Sequence, residues 1–454
     1  MASPATSPGG PTNLDVTFRE ALRVWVRVGL QSFGGPAGQI AVMHRILVEE
    51  KQWLSESRFL HALNYCMLLP GPEAQQLAIY SGWLLHGYRG GLVAGWLFVL
   101  PGFLSILALS IVYAWYPDTA AVAGLFFGLQ AAVLAVVAEA VLRIGRRALK
   151  RPLHRYVAAG AFLAIFFGTV PFPFVILAAA LVGLVEARSA GAGSAGSLPE
   201  EPTEEAGGAQ RPQQDTSLLR SVRVAALWGG LWLAPTAAIT LTLGLTSIWS
   251  QLARFFSQAA VVTFGGAYSV LAYIAQEAVE SHAWLEPGEM LTGLGMAETT
   301  PGPLIQIVQY VGFMGAYRDP GGLDPLLAGV LAAILVTWVT FAPCFLWIFL
   351  GAPYMERLRS ARMLNAALSM ITAAVVGTVL NLAVWFALHT LFADVEEHRS
   401  FGVRLLIPQI ESFDVAALGI GSLAALALFR FKVSVMRILV VAALAGVAYE
   451  VTLA

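Results

Sequence analysis

Charged side chains are scarce in this sequence. Asp, Glu, Lys and Arg together supply 12% of its 454 residues, about half of the roughly 25% found in soluble globular chains. Hydrophobic residues make up 57% and the mean hydropathy is +0.71, so too little charge remains to cover a water-facing surface. The deficit falls in long runs: residues 90–117, 156–185, 224–253, 325–355 and 363–393 contain no Asp, Glu, Lys or Arg. Each exceeds the roughly 20 apolar residues that cross a hydrocarbon core about 30 Å thick, and five such runs exclude a single large soluble core. Cysteine is nearly absent as well. Cys66 and Cys344 cannot build a tetrathiolate zinc site, and neither an H-E-x-x-H motif nor a Cys/His cluster offers another metal centre. No cofactor, metal or catalytic residue is expected. The P-loop pattern is also missing, which excludes ATP-driven pumping by this chain alone. A net charge of −1 offers nothing to nucleic acid, and in a membrane chain the placement of charge matters more than its sum. No basic n-region with a cleavage site precedes the first apolar stretch, so that stretch is expected to act as its own insertion signal.

What is present is a repeat. SFGGPAGQIA (residues 32–41) matches TFGGAYSVLA (residues 263–272), an offset of 231 that places Phe33, Gly34 and Gly35 on Phe264, Gly265 and Gly266. The same offset carries Trp53-Leu54 onto Trp284-Leu285, Pro70-Gly71-Pro72 onto Pro301-Gly302-Pro303, and Gln75 onto Gln306. The register then slips to 242, matching Pro101 with Pro343, as an insertion around residues 319–325 would cause. Residues 189–217 are rich in Gly, Ala, Ser and Pro, with Glu200, Glu201, Glu204 and Glu205 among them, and lack the apolar side chains to pack. The expected organisation is a polar tail (1–17), a first unit (18–187), a flexible linker (188–222), an unpaired transmembrane helix (223–248) and a second unit (249–454).

The expected fold is an all-α polytopic membrane protein with about 13 transmembrane segments, its two homologous units forming an inverted repeat with broken or re-entrant helices. Single crossings over 18–33, 60–86, 90–115, 119–142, a hairpin at 153–187 and 224–246 make seven before the second unit begins, which inverts it. Loop charge agrees. Arg143, Arg146, Arg147, Lys150, Arg151 and Arg155 mark one loop as cytoplasmic, whereas its counterpart over 394–411 holds four acids against Arg399 and Arg404. The uncharged turn at 171–173 is answered by Arg430, Lys432 and Arg437, and the loop at 116–119, without a basic residue, by Arg357, Arg359 and Arg362. One connection is awkward: that following the second FGG should be cytoplasmic, yet it holds Glu277, Glu280, Glu286 and Glu289. The first two segments of each unit could instead be re-entrant, which leaves the parity unchanged.

The repeated motifs are helix breaks. Gly34-Gly35 and Gly265-Gly266 free the backbone, and proline at Pro70, Pro72, Pro301 and Pro303 removes an amide and disfavours helix before it. A new half-helix can start at Pro72 and at Pro303, its first amides facing the gap as a seat for an anion. Gly34, Gly35, Pro70, Gly71, Pro72, Gln75, Gln76, Gly265, Gly266, Pro301, Gly302, Pro303 and Gln306 are therefore the candidate substrate-binding residues. Tight packing and kinks explain any one motif equally well; recurrence at equivalent places favours a site. Glu73 and Glu298, ionisable at membrane depth, are candidates for carrying a proton. Arg23, Arg27, His44 and Arg45 flank the first FGG, either attracting anions or anchoring the chain at the cytoplasmic surface. Glu139 and His389 read as packed polar residues.

FGGPAGQIAVMH (33–44), KQWL (51–54), LLPGPEAQQLAIYSGW (68–83), TFGGAYSVLAYI (263–274) and TTPGPLIQIVQYVGF (299–313) together resemble the chromate ion transporter family, in its long two-domain bacterial form. The resemblance runs from about Phe18 to the end, apart from the linker. It implies chromate efflux and chromate resistance at the bacterial inner (cytoplasmic) membrane, driven by the proton motive force as in an antiporter. The partners on this reading are a small oxyanion, protons and the lipid bilayer, with a homodimer left open. Sulfate, alike in charge and shape, is the nearest rival substrate. A membrane enzyme would need a cofactor or a nucleophile–base set that the sequence lacks, and a lipid flippase would need a larger polar cavity.

Overall fold

The computed structural model describes residues 16–116, 119–189, 217–354, 362–400 and 402–453. Most of the expected tail and linker, together with Arg357 and Arg359, lie outside the described residues.

Short helices come first in each half of the chain, and they come in pairs. In the first half α1 (Phe18–Gln31), capped by the Thr17 hydroxyl, stops at Ser32, and α2 (Gly35–His44) follows, prolonged by a π-helical turn at Arg45–Glu50. Lys51 then meets Glu20 at 2.8 Å. A straight helix rising 1.5 Å per residue would hold those side chains about 45 Å apart, so α1 and α2 form a hairpin that returns to the face it left. α3 (Glu56–Cys66) and the first part of α4 (Glu73–Trp115) make a second hairpin, with Tyr65 and Tyr80 ring centroids 6.0 Å apart. α4 then turns at His86 and Gly87, where helical geometry fails, into its long apolar part.

Beyond the long helix α8 (Leu218–Leu243), the second half repeats the pattern. α9 (Ile248–Val262) and α10 (Ala267–Ala275), prolonged by a π turn at Gln276–Ser281, form a third hairpin, closed where Phe255 meets Trp284 at 5.6 Å. α11 (Pro287–Thr299) and α12 (Ile307–Arg318) form a fourth, closed by Arg318 on Glu289 at 2.6 Å.

Seven described helices are long and apolar enough to cross a membrane. They are α4, α5 (Ala120–Ala148), α7 (Phe172–Ser189), α8 (Leu218–Leu243), α13 (Pro325–Gly351), α14 (Arg362–Leu391) and α16 (Val435–Leu453), while α6 (Pro152–Phe166) and α15 (Val415–Phe429) are apolar but shorter. Their outer faces expose Leu163, Leu227, Leu423 and Leu444, side chains suited to lipid. The chain is an all-α polytopic membrane protein with one addition. Where the sequence suggested only an acidic loop, β1 (Val395–Ser400) pairs antiparallel with β2 (Val403–Pro408) around Gly402, whose φ is +79°.

The halves interlock through small residues, which allow helices without a hydrophobic drive between them to approach closely. α4 runs antiparallel to α13: a β-carbon on Gly91 would lie 2.8 Å from Phe349 and one on Gly95 2.7 Å from Phe345, while Trp96 stacks on Trp338. α6 and α7 seat on α14, at Ala158 against Gly377 and Gly183 against Ala366. α15 and α16 seat on α5 in the same manner, at Gly421 against Ala131 and Gly446 against Gly124.

Candidate functional site

The four hairpin tips meet in two pairs, and each pair joins one half to the other. The Gly71 amide donates to the Thr263 carbonyl at 2.8 Å, and the Gly302 amide donates to the Ser32 carbonyl at 2.8 Å. In the 231-residue register Gly71 corresponds to Gly302 and Ser32 to Thr263, so each bond is the other's counterpart. The preceding helices end alike, with Ser32 Oγ on the Val28 carbonyl and Thr263 Oγ1 on the Ala259 carbonyl, both at 2.6 Å.

Glycine is required at the contacts themselves. Gly71 and Gly302 have φ of +112° and +98°, a region L side chains avoid. Across Gly71 lies Cys344, its sulfur 3.1 Å from where a β-carbon would stand; across Gly302 lies the Gly102 backbone at 3.2 Å. Gly102 and Cys344 follow Pro101 and Pro343, and are related by the slipped offset of 242.

Each returning half-helix begins at a tip: α2 at Gly35, α4 at Glu73, α10 at Ala267, and α12 after a single 3₁₀ turn at Leu304–Gln306. That turn departs from the sequence reading. The Gln306 amide is taken by the Pro303 carbonyl at 2.9 Å, so the three first-turn amides expected to face the gap there are not all open. Unpaired amides and the partial positive charge of helix N-termini favour an anion.

Polar side chains crowd the tips. Gln75 and Gln306 are fully buried, and so is Gln76, which donates to the Pro70 carbonyl at 2.6 Å. Gln306 donates to Gln309 at 2.6 Å and to Thr337 at 3.0 Å. Among the described residues, both polar atoms of Gln75, Oε1 of Gln76 and of Gln306, Oε2 of Glu73 and the Thr340 hydroxyl are buried without a partner. Buried polar groups normally find partners, and these six atoms belong to three elements, α4, the 3₁₀ turn and α13.

Both membrane-depth carboxyl groups lead to the start of α10. Glu73 Oε1 lies 3.6 Å from where a β-carbon on Gly266 would stand. Glu298, 2% exposed, accepts from the Tyr268 hydroxyl. The start of α2 makes its cross-contact through an amide instead, Gln39 donating to the Gly302 carbonyl at 2.6 Å.

The basic candidates are engaged elsewhere. Arg27 pairs with Glu50 at 2.6 Å, His44 with Glu56 at 2.6 Å and with Glu49 at 3.2 Å, and Arg45 reaches Gln31 at 2.9 Å. Arg23 is exposed on α1, in a surface depression shared with Arg19, Glu20 and Lys51. Gln39 and Tyr268 were not singled out from the sequence, and Cys344 figures there only as one of two thiols too few for a metal site. Gly102 and Cys344 had a signal, since they adjoin the proline pair that marks the slipped register. Gln39 and Tyr268 had none, because the offset pairs them with Val270 and Ala37.

Helical hairpins that turn back within the thickness of a bundle of membrane-length helices, tips apposed, define a multi-pass membrane protein with a polar centre. The chain belongs to the chromate transporter family, whose model matches residues 19–184 and again 250–447. It is 29% identical to the chromate transport protein of Pseudomonas aeruginosa over 83% of this chain and 82% of that one. It is 26% identical to the probable chromate transport protein of Synechococcus elongatus, over 81% and 84% of the two chains. With the chromate transport protein of Cupriavidus metallidurans it shares 26% identity over 85% and 86%. No solved structure matches the chain.

Proposed function

We propose that this chain is a secondary transporter that exports chromate, seating the dianion where the four hairpin tips meet. The reciprocal Gly71–Thr263 and Gly302–Ser32 hydrogen bonds carry this reading, because they join the four tips in two pairs, near buried donors without a partner among the described residues at Gln75 Nε2 and the Thr340 hydroxyl. Membership of the chromate transporter family supports an oxyanion as the substrate, and three relatives named as chromate transport proteins support chromate. The seat comprises Gly34, Gly35, Pro70, Gly71, Pro72, Gln75 and Gln76 from one half, and Gly265, Gly266, Pro301, Gly302, Pro303 and Gln306 from the other. Glu73 and Glu298 are the proton carriers on this reading.

The topology that fits is an inverted repeat of units 18–187 and 249–454, each with two re-entrant hairpins, joined through the linker and α8. Antiparallel packing of α4 on α13, the 242-offset counterparts, supports inversion, as does the exchange of α6–α7 and α15–α16 between the halves. Counting α6 and α15 as crossings, nine of the described helices span and four hairpins re-enter. This also resolves the awkward connection. Glu277, Glu280, Glu286 and Glu289 then lie at the base of hairpins on the outer face, beside the β1–β2 ribbon, whose Arg404 pairs with Glu280 at 2.7 Å. Arg45, Lys51 and Arg58 occupy the matching cytoplasmic base.

Export of a dianion from a negative interior is downhill electrically by about 2.3 kcal/mol per charge per 100 mV, or about 4.6 kcal/mol for two charges. The potential component of the proton motive force can therefore power efflux. Everted inner-membrane vesicles test the reading: they should accumulate chromate when energised and lose the gradient on collapse of the potential. Sulfate accumulation without chromate would reassign the substrate, and movement of neither anion would overturn transport altogether.

A further inference from the structure

A second polar centre lies away from the tips. α10 starts at the third tip beside the middle of α14, where a β-carbon on Gly265 would stand 3.4 Å from Val375. Both then run the same way, with Ala272, Ala275 and Gln276 facing Asn381, Leu382 and Trp385 around a cavity of about 10 Å³, room for a single water. Arg404 of β2 closes it. This arginine is 2% exposed, its amide held by the Phe167 carbonyl at 2.7 Å and its Nε by the Phe166 carbonyl at 3.2 Å. Its Nη1 meets Glu280 at 2.7 Å, a carboxylate that is 24% exposed. Asn381, 7% exposed, leaves its Oδ1 without a partner among the described residues. Gln276 is ten residues past Gly266, about 15 Å along a helix, so this centre stands at the far end of the seam that begins at the tips.

We infer that Arg404 is an exit site for the transported oxyanion, with the Glu280 carboxylate as its displaceable stand-in. A guanidinium whose Nε is held by the Phe166 carbonyl, on a residue whose amide is held by the Phe167 carbonyl, presents a fork suited to a carboxylate or a tetrahedral oxyanion alike. The cavity has no space for both, so the anion takes Arg404 only as Glu280 swings to solvent. Glu280 thus sets the affinity of the outer face and re-closes the seam after release. The substrate class rests on the transport reading above; the location of the site does not.

Two measurements on the full-length chain separate these. In proteoliposomes, with KM for chromate measured separately at each face, Arg404→Ala should raise the ribbon-face KM at least tenfold and change the opposite face less than twofold. Glu280→Gln should lower the ribbon-face KM severalfold. Arg404→Lys, which keeps the charge and loses the fork, replaces Arg404→Ala where the latter does not fold. In detergent, Glu280→Gln should gain a sulfate-dependent rise in melting temperature over chloride at equal ionic strength, and Glu280→Gln with Arg404→Ala should lose it. Equal shifts at both faces, shifts of the same sign in the two variants, or a gain that survives loss of Arg404 would overturn the site. A wild type that moves no oxyanion would refute the transport reading instead, and the melting comparison would then decide the Arg404 site by itself.

Discussion

At the contact between Gly302 and Ser32 the neighbouring cross-link is an amide, Gln39 donating to the Gly302 carbonyl. At the matching contact between Gly71 and Thr263 the neighbours are acids, with Glu73 against Gly266 and Glu298 bonded to Tyr268 one turn away. The two contacts share the amide-to-carbonyl bond across the halves and the hydroxyl caps on Val28 and Ala259, and differ in the 3₁₀ turn that precedes α12. A scaffold of this kind restrains the glycines and leaves the side chains free to diverge. On the proposed reading, in which one seat draws on both contacts, the acids beside the second admit a dianion only when protonated, since a fixed carboxylate repels it.

The backbone half of this comparison breaks under the largest perturbation. A β-carbon on Gly102 would stand 2.5 Å from the Pro301 carbonyl, with no flexible atom to give way. Gly102→Val should therefore lower oxyanion flux at least a hundredfold or prevent insertion, because overpacking at a closed contact commonly costs about 1–3 kcal/mol and displaces what it touches. Its counterpart already carries a side chain, and Cys344→Gly should keep flux within threefold. Comparable losses in both variants would mean that the two contacts are not built alike.

Next come the acids. Glu73→Gln and Glu298→Gln keep shape and remove the titrating group, so each should slow flux about tenfold and flatten its dependence on pH, as loss of a group contributing general proton transfer does. Flux measured across pH 5–8 in each variant checks this, and an unchanged pH profile in Glu73→Gln would remove Glu73 as the coupling group. A smaller effect belongs to the amide. Gln39→Leu leaves the Gly302 carbonyl without its donor, a loss of about 1–3 kcal/mol, which should appear as a melting temperature lower by several degrees with flux reduced only in proportion. A melting temperature equal to wild type would show that the cross-link contributes nothing.

Much of this arrangement was legible before any coordinates. The breaks at FGG and PGP, their 231-residue register and the slip at Pro101 and Pro343 all stand at the places where the tips and their covering helices meet. The direction of the half-helices was not legible, because an apolar run broken in the middle has the same composition whether it crosses or returns. Only the chemistry of its ends could have distinguished the two. Glu20 with Lys51, and Glu289 with Arg318, are complementary charges about thirty residues apart whose pairing requires a hairpin. The ribbon at Val395–Pro408 was hidden for a different reason: its strands read VEEHRS and VRLLIP, and the acids of the first outweigh any alternating pattern.

Those same end charges supply the mildest test. Arg27 and Arg45 were candidates for drawing an anion toward the first tip, yet Arg27 lies 2.6 Å from Glu50 and Arg45 3.5 Å from the same carboxylate, with side chains 43% and 50% exposed. Two cations that share one carboxylate at a hydrated surface are partly neutralised and screened, and exposed pairs of this kind contribute about 0–1 kcal/mol. Arg27→Ala and Arg45→Ala should accordingly change flux less than twofold and melting by a degree or two. The salt dependence of the chromate KM separates the roles further. Attraction over distance weakens as the Debye length falls from about 10 Å at 0.1 M to about 3 Å at 1 M, so a true attracting role would make the KM of the wild type, and not of these variants, climb with salt. Equal slopes would leave the two arginines as closing pairs of the first hairpin, and the anion would owe its place to the helix N-termini at the tips.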